Sequence, residues 1–268
     1  MKHPKKRLIR KFIIITTTLT LTLFLISLSS AALALTGKEI MQKVNDRDTG
    51  DSSASKTKMV IVNNKGQERV RTIQAIRKEY GDLNKSMIRF LAPADVKGTG
   101  FLVWENADKD DDQFLYMPAT GKVRRITSSS KSERFMGTEF TYEDMENRKV
   151  EKDTHKLLGE ETIDGNKCYK VESIPKDVTD SQYSKFVSWV RADIWVPVKI
   201  EFYDDSGALL KVLTVKKIEK IENIWTAVDN VMHNVQKDWK TLLTIEEIKY
   251  NLDNIKDDYF TERFLKQG

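Results

Sequence analysis

The chain has a single cysteine, Cys168. That excludes an internal disulfide and any cysteine-cluster metal site, and it leaves Cys168 as a small buried strand residue rather than a nucleophile. Histidine is nearly as scarce. Beyond His3 only His155 and His233 occur, on separate segments, with no HxH, HxxxH or HExxH spacing. There is no GxSxG elbow, no P-loop and no GxGxxG turn. Asp108–Asp112 is acidic enough to suggest a calcium loop, but it lacks the sharp-turn glycine and the bidentate glutamate that such a loop uses, so a solvated hairpin tip is the simpler reading. No metal, redox or organic cofactor is expected, and no catalytic set is visible.

Excess positive charge is also missing from most of the chain. The formal net charge of +5 arises in the first residues. Lys2, Lys5, Lys6, Arg7, Arg10 and Lys11 hold six of the 45 basic groups, and no acid precedes Leu35; from there on 39 basic groups face 40 acidic ones, a net of −1. A nucleic-acid partner, which needs a clustered basic surface, loses its main support.

Those six cations precede an apolar run from Phe12 to Leu28, and Ala32-Leu33-Ala34 follows. This is the n-region, h-region and small-residue cleavage site of a secretory signal. An uncleaved anchor is the rival reading, but Thr16, Thr17, Thr18, Thr20 and Thr22 dilute the run below what a spanning helix requires. Residues 1–34 therefore read as a cleaved signal peptide and residues 35–268 as one soluble domain in the periplasm. Cys168 lies far from the cleavage point, so the chain is not itself a lipid-anchored protein.

What is present in the mature part is alternation. Thr36 followed by Glu39 is a capping box, and Ile40, Met41 and Val44 mark one face of a short helix ending near Asn45. Then come short β-branched and aromatic runs bounded by Gly, Pro, Asn and Asp: 58–62, 68–78, 86–91, 101–104, 114–117, 123–126, 168–174, 185–194, 197–203, 209–218, 225–234, 241–247 and 248–252. A short helix closes the chain with Phe260, Phe264 and Leu265 on one side. The fold class is mainly β, an antiparallel meander of about ten to twelve strands with a helix in front. Such a meander must bury one face, as a sandwich, a closed barrel, or a curled sheet covered by helices.

The stretch from Phe90 to Asn106 (FLAPADVKGTGFLVWEN) stands out. It continues through Phe114–Pro118, Lys122–Ile126 and Phe135–Asp144 (FMGTEFTYED). This pattern resembles the LolA-like family of outer-membrane lipoprotein-sorting proteins. The resemblance implies an incomplete barrel whose opening is covered by helices and whose apolar cavity receives acyl chains. It implies a non-enzymatic carrier of lipoproteins or other lipids, with an inner-membrane donor and an outer-membrane acceptor. An alternative role on the same fold is a lipid-sensing or accessory subunit of a membrane transporter or signalling system. The family's known carriers tie the lid down with a strand arginine; Arg69, Arg71, Arg77 and Arg89 all qualify here. Alternation and the resemblance together nominate Phe90, Phe101, Val103, Leu115, Met117, Trp189, Ile200 and Phe202 as cavity lining.

The leader makes the first testable statement. N-terminal sequencing of the protein from its native host should return a chain beginning near Leu35; recovery of Met1 or Lys2 in a membrane fraction would refute it.

Overall fold

In the computed structural model, residues 35–179 and 181–267 are described, so the signal-peptide expectation falls outside them. Helix α1 (Gly37–Asn45) begins at Thr36, whose hydroxyl accepts from the Glu39 amide at 3.2 Å while the Glu39 carboxylate accepts from the Thr36 amide at 2.7 Å. This reciprocal pair satisfies two of the amides that a helix start leaves open. The buried side chain on the helix is Ile40, and Gly37 faces the backbone of residues 155–157. A Cβ at Gly37 would stand 2.8 Å from those backbone atoms, so only glycine lets the helix lie this close to the sheet.

Thirteen antiparallel strands form one sheet. They are β1 (Ser52–Val62), β2 (Glu68–Tyr80), β3 (Leu83–Ala92), β4 (Gly100–Trp104), β5 (Asp112–Met117), β6 (Lys122–Arg125), β7 (Asp153–Ile163), β8 (Asn166–Pro175), β9 (Lys185–Arg191), β10 (Pro197–Tyr203), β11 (Leu209–Ile221), β12 (Ile224–Asn234) and β13 (Trp239–Tyr250). Their spatial order is β6-β5-β4-β3-β2-β1-β13-β12-β11-β10-β9-β8-β7. The first strand therefore pairs with the last, in the middle of the sheet, from Ser53↔Tyr250 to Val62↔Lys240. The sheet stays open, with β6 and β7 as its edges.

Those two edge strands are neighbours in sequence. The segment joining them, residues 126–152, must cross from one edge of the sheet to the other. It does so as a strap of four 3-10 turns along one face, here called the inner face. Phe135 and Tyr142 of the strap pack there against Met59, Ile61, Phe90, Phe101 and Leu115. The opening is thus covered by α1 and a largely non-helical strap, not by a set of helices. The strand count also differs from expectation: β7 is an additional strand, and 239–250 is one strand rather than two.

On the outer face the chain end covers β3–β5. A 3-10 turn (Asp257–Phe260) and the single-turn helix α2 (Glu262–Leu265) bring Ile255, Phe260 and Leu265 onto Met87, Leu102 and Phe114. Arg89, buried on this face, donates to the carbonyls of Leu265 at 2.7 Å and Phe264 at 2.9 Å. The Phe264 carbonyl also accepts from the Gln267 amide at 3.0 Å, whereas the Leu265 carbonyl, at the helix end, takes its bond from Arg89. No helix among the described residues is long and apolar enough to cross a membrane.

Replacing Arg89 by Met should leave the Leu265 carbonyl bare at a cost of about 1–3 kcal/mol. Urea unfolding should show a lower midpoint with an unchanged slope; an unaltered midpoint would contradict the anchoring role.

Candidate functional site

Register places one row of inner-face side chains across the right half of the sheet: Val171, Ser188, Ile200, Leu213, Met232 and Thr241 oppose one another in turn from β8 to β13. The next row toward the strap holds Ser173, Phe186, Phe202, Lys211 and Asn234. Above these rows, beneath the strap and Met41 of α1, lies a cavity of about 250 Å³. Its apolar wall is Phe140, Phe186, Ile200, Phe202, Leu213 and Met232; Arg148, Asp153 and His155 give it a polar rim.

Lys211 sits in the apolar row with only 2% of its side chain exposed. Its ammonium lies over the rings of Tyr183 and Phe202, 5.0 and 5.1 Å from their centroids, and pairs with Asp144 of the strap. Asp144 also accepts from the Thr141 amide at 2.6 Å and the Tyr183 hydroxyl at 2.8 Å. Burial, with Asp144 beside it, pushes the Tyr183 phenol well above its ordinary range, so it remains a donor. The neighbouring Glu143 accepts from the Gln182 amide and side chain, both at 3.0 Å. Glu139 pairs with Arg134, and its amide donates to Thr241, which is fully buried in β13. Arg148 grips Asp153 through two nitrogens. Every charged group of the 134–144 stretch that is buried thus has a designated partner, as a buried charge requires.

The strap also receives a strand arginine. Arg71, buried in β2, donates at 2.6 Å to the carbonyl of Met136, a residue held at φ +50°. Of the other strand arginines, Arg69 is exposed, Arg77 bonds the carbonyls of Thr49 and Gly50, and Arg89 holds the chain end on the outer face.

The eight nominated residues do not come together. Ile200 and Phe202 line the cavity. Phe90, Phe101, Val103 and Leu115 lie on the same inner face but in its other half, packed solidly against Phe135 and Tyr142, with Met117 at the margin. Trp189 faces the other way: it alternates with Ser188, clusters with Cys168 and Val187, and donates to Glu161 at 2.6 Å between Lys170 and Lys199. Phe140, Phe186, Leu213, Met232 and Lys211 are the lining or anchoring residues that sequence reading missed. His155 is satisfied by Ser173 at 2.7 Å and the Val150 carbonyl at 2.8 Å. Cys168 is fully buried.

The acidic run at 110–112 is not a free hairpin tip. Asp110 pairs with Lys131 and Lys152, Asp112 with Lys109 and Arg125. Burial pushes the Asp111 carboxyl up to about 6. Among the described residues no cluster of His, Cys, Asp or Glu is arranged to hold a metal ion.

The crystal structure of a DUF1329 family protein from Desulfovibrio piger shares 33% identity and a TM-score of 0.81, covering 85% of this chain and 97% of that one. A structure assigned as an outer membrane lipoprotein-sorting protein domain from Vibrio parahaemolyticus shares 35% identity and a TM-score of 0.81, over 86% of this chain and 98% of its own. The chain belongs to the LolA-like family of outer-membrane lipoprotein-sorting proteins. A family model described as an uncharacterized protein matches residues 82–267, the part of this LolA-like chain that includes the strap and all of the cavity's lining but Met41. A LolA superfamily protein from Nitrosomonas europaea, 22% identical over 86% of this chain and 100% of that one, has the same fold with a TM-score of 0.68. No curated protein matches.

The strap's central anchor is open to measurement. Lys211→Met leaves the Asp144 carboxylate buried without its cation and should cost about 3–5 kcal/mol in urea unfolding. Adding Asp144→Asn should restore much of that loss. Additive or worse behaviour of the double variant would show that the pair is not the anchor.

Proposed function

We propose that this protein is a periplasmic carrier that shelters acyl chains of lipoproteins or other lipids, taking them from an inner-membrane donor and passing them to an outer-membrane acceptor. The observation that carries this reading is the apolar cavity between the strap and the β8–β12 half of the inner face, in a member of a lipoprotein-sorting family. An acyl chain leaving water gains about 0.8 kcal/mol per buried methylene. A dozen methylenes supply roughly 10 kcal/mol, from which ordering and strap displacement are subtracted. That is enough for transport by physical transfer, with no catalysed step and no cofactor.

The cavity lies just below the size range of typical ligand pockets, about 300–1,000 Å³. Loading a full acyl chain therefore requires the strap or α1 to move outward. The Lys211–Asp144 pair would be the point about which the strap turns, because it fixes the strap at the cavity's wall while Arg148 and Val150 lie further along it.

Ile200→Glu, opposite Leu213 and Ser188 and one row away from Lys211, puts an unpaired carboxylate into the apolar wall. Binding of a fluorescent acyl probe should fall several-fold in a variant whose circular dichroism and melting remain those of a folded protein. Unchanged binding would overturn the carrier reading. Native mass spectrometry of protein from its own periplasm should show co-purified lipid that exchanges to acceptor membranes; a stable protein partner with no transfer would point to the accessory role instead.

A further inference from the structure

The cavity under the strap is not apolar throughout. Followed across the sheet, its lining changes character at β9. From β10 to β12 the wall is Ile200, Phe202, Leu213 and Met232, with Phe140 of the strap beside them. From β7 to β9 it carries His155, Ser173 and Ser188. Three strand spacings separate β9 from β12, roughly 14 Å of sheet. The hollow therefore has a polar end and an oily end.

Most of the polar end is already engaged. The two ring nitrogens of His155 meet the Ser173 hydroxyl and the Val150 carbonyl. Arg148, on the rim, holds Asp153. Ser188 is the exception. It is 4% exposed, lines the cavity, and stands on the inner face between Val171 of β8 and Ile200 of β10. Its hydroxyl has no hydrogen-bond partner among the described residues. Buried side-chain hydroxyls are normally paired, and hydrocarbon laid over a bare one carries a free-energy cost.

The surroundings of Ser188 restrict what can pair with it. Side chains directly opposite on one face of a sheet have Cβ atoms about 5 Å apart, so the wall is already apolar at Ile200 on one side and at Val171, fully buried, on the other. A ligand whose tail lies on Ile200 and Leu213 reaches this hydroxyl only with an oxygen attached directly to the end of the alkyl chain. The carbonyl of an acyl ester or amide is such a group, and it accepts the hydrogen that a serine hydroxyl donates. A charged group in the same place would be buried beside Val171 and Ile200 with Arg148 committed to Asp153.

We propose that Ser188 Oγ is a carbonyl subsite: it donates to the ester or amide oxygen of a bound acyl chain, fixing that carbonyl at the β9 end of the cavity with the tail running over β10–β12. The inference rests on the acyl-carrier reading above and adds the direction in which the chain lies and the residue that sets it. The group joined to the acyl chain then points toward β7 and the polar rim of Arg148, Asp153 and His155.

The test compares methyl dodecanoate with tetradecane, chains of equal length that differ in the ester, as competitors of bound N-phenylnaphthylamine, a fluorescent reporter without a carbonyl, on the full chain. Ser188→Ala should weaken displacement by the ester about three- to tenfold, the loss of one hydrogen bond, and leave tetradecane equally or more effective. Ser188→Thr keeps the hydroxyl and should keep the ester's advantage over the alkane. The infrared carbonyl band of isotope-labelled methyl dodecanoate should lie at lower frequency on wild type than on Ser188→Ala. No loss for the ester in Ser188→Ala, or an equal loss for ester and alkane, would overturn the subsite while acyl binding stands. A carbonyl band on wild type at the position it takes in hydrocarbon would overturn it without recourse to a variant. Failure of the reporter, the ester and the alkane to bind wild type would overturn the acyl-carrier reading and the subsite with it.

Discussion

The pairing of β1 with β13 is the constraint from which the rest of the molecule follows. Strands that succeed one another in sequence usually pair, and here every consecutive pair does so except β6 with β7. Because the chain's two end strands meet in the centre, the single unpaired step falls at the two edges. Its connection cannot be a short turn. It must traverse the width of an open sheet, and covering the inner face is the route that buries Phe135 and Tyr142 as it goes. The strap is thus a consequence of topology before it is a functional element, and the cavity is what remains where the strap does not fill the sheet.

The strap is held by charges rather than by regular secondary structure. Its backbone bonds are mostly within the strap itself, and side chains tie it to the sheet: Arg71 on the Met136 carbonyl, Thr241 on the Glu139 amide, and Lys211 on the Glu139 carbonyl and the Asp144 carboxylate. Buried ion pairs gain little net stability over apolar packing, but an unpaired member is costly. That asymmetry selects one register of the strap over its neighbours, which greasy packing alone would tolerate. The stretch from Phe135 to Asp144, the most family-like run in the sequence, is this set of anchors and the aromatic wedge between them.

Much of the sheet was legible because hairpins announce themselves locally. The capping box at Thr36 and Glu39, and the turns at Asn63–Gly66 and Asp204–Gly207, needed only nearest neighbours. Strand β7 did not read as a strand because it is an edge: DTHKLLGEETI exposes residues on both faces and carries Gly159 at a register shift, leaving no apolar rhythm. Residues 239–250 read as two strands because the ladder with β1 shifts register at Lys56/Thr57, which breaks the alternation. The site was less legible. Alternation sorts the residues of one strand into two faces but does not say which face is inner, so Trp189 and Ile200 were grouped although the register sets Ile200 opposite Ser188. Lys211 was invisible for the opposite reason: a lysine in an alternating strand reads as solvent-facing, and only the distant Asp144 makes its burial possible.

The two halves of the inner face divide one inventory of aromatic residues into two uses. On the β1–β5 side, Phe135 drops between Phe90, Phe101 and Tyr142, with ring centroids 4.9–6.0 Å apart, and closes the space. On the β8–β12 side the strap offers Phe140 but no comparable wedge, and Lys211 holds the strap at the cavity wall over Tyr183 and Phe202. A wedge packed at native density resists motion, whereas a strap over a hollow has few dispersion contacts to lose when it lifts. Opening is therefore expected to hinge near Asp144 and to swing the 145–152 end, beside which Met41 of α1 also lines the cavity. The filled half serves as the fixed jaw and the hollow half as the one that yields.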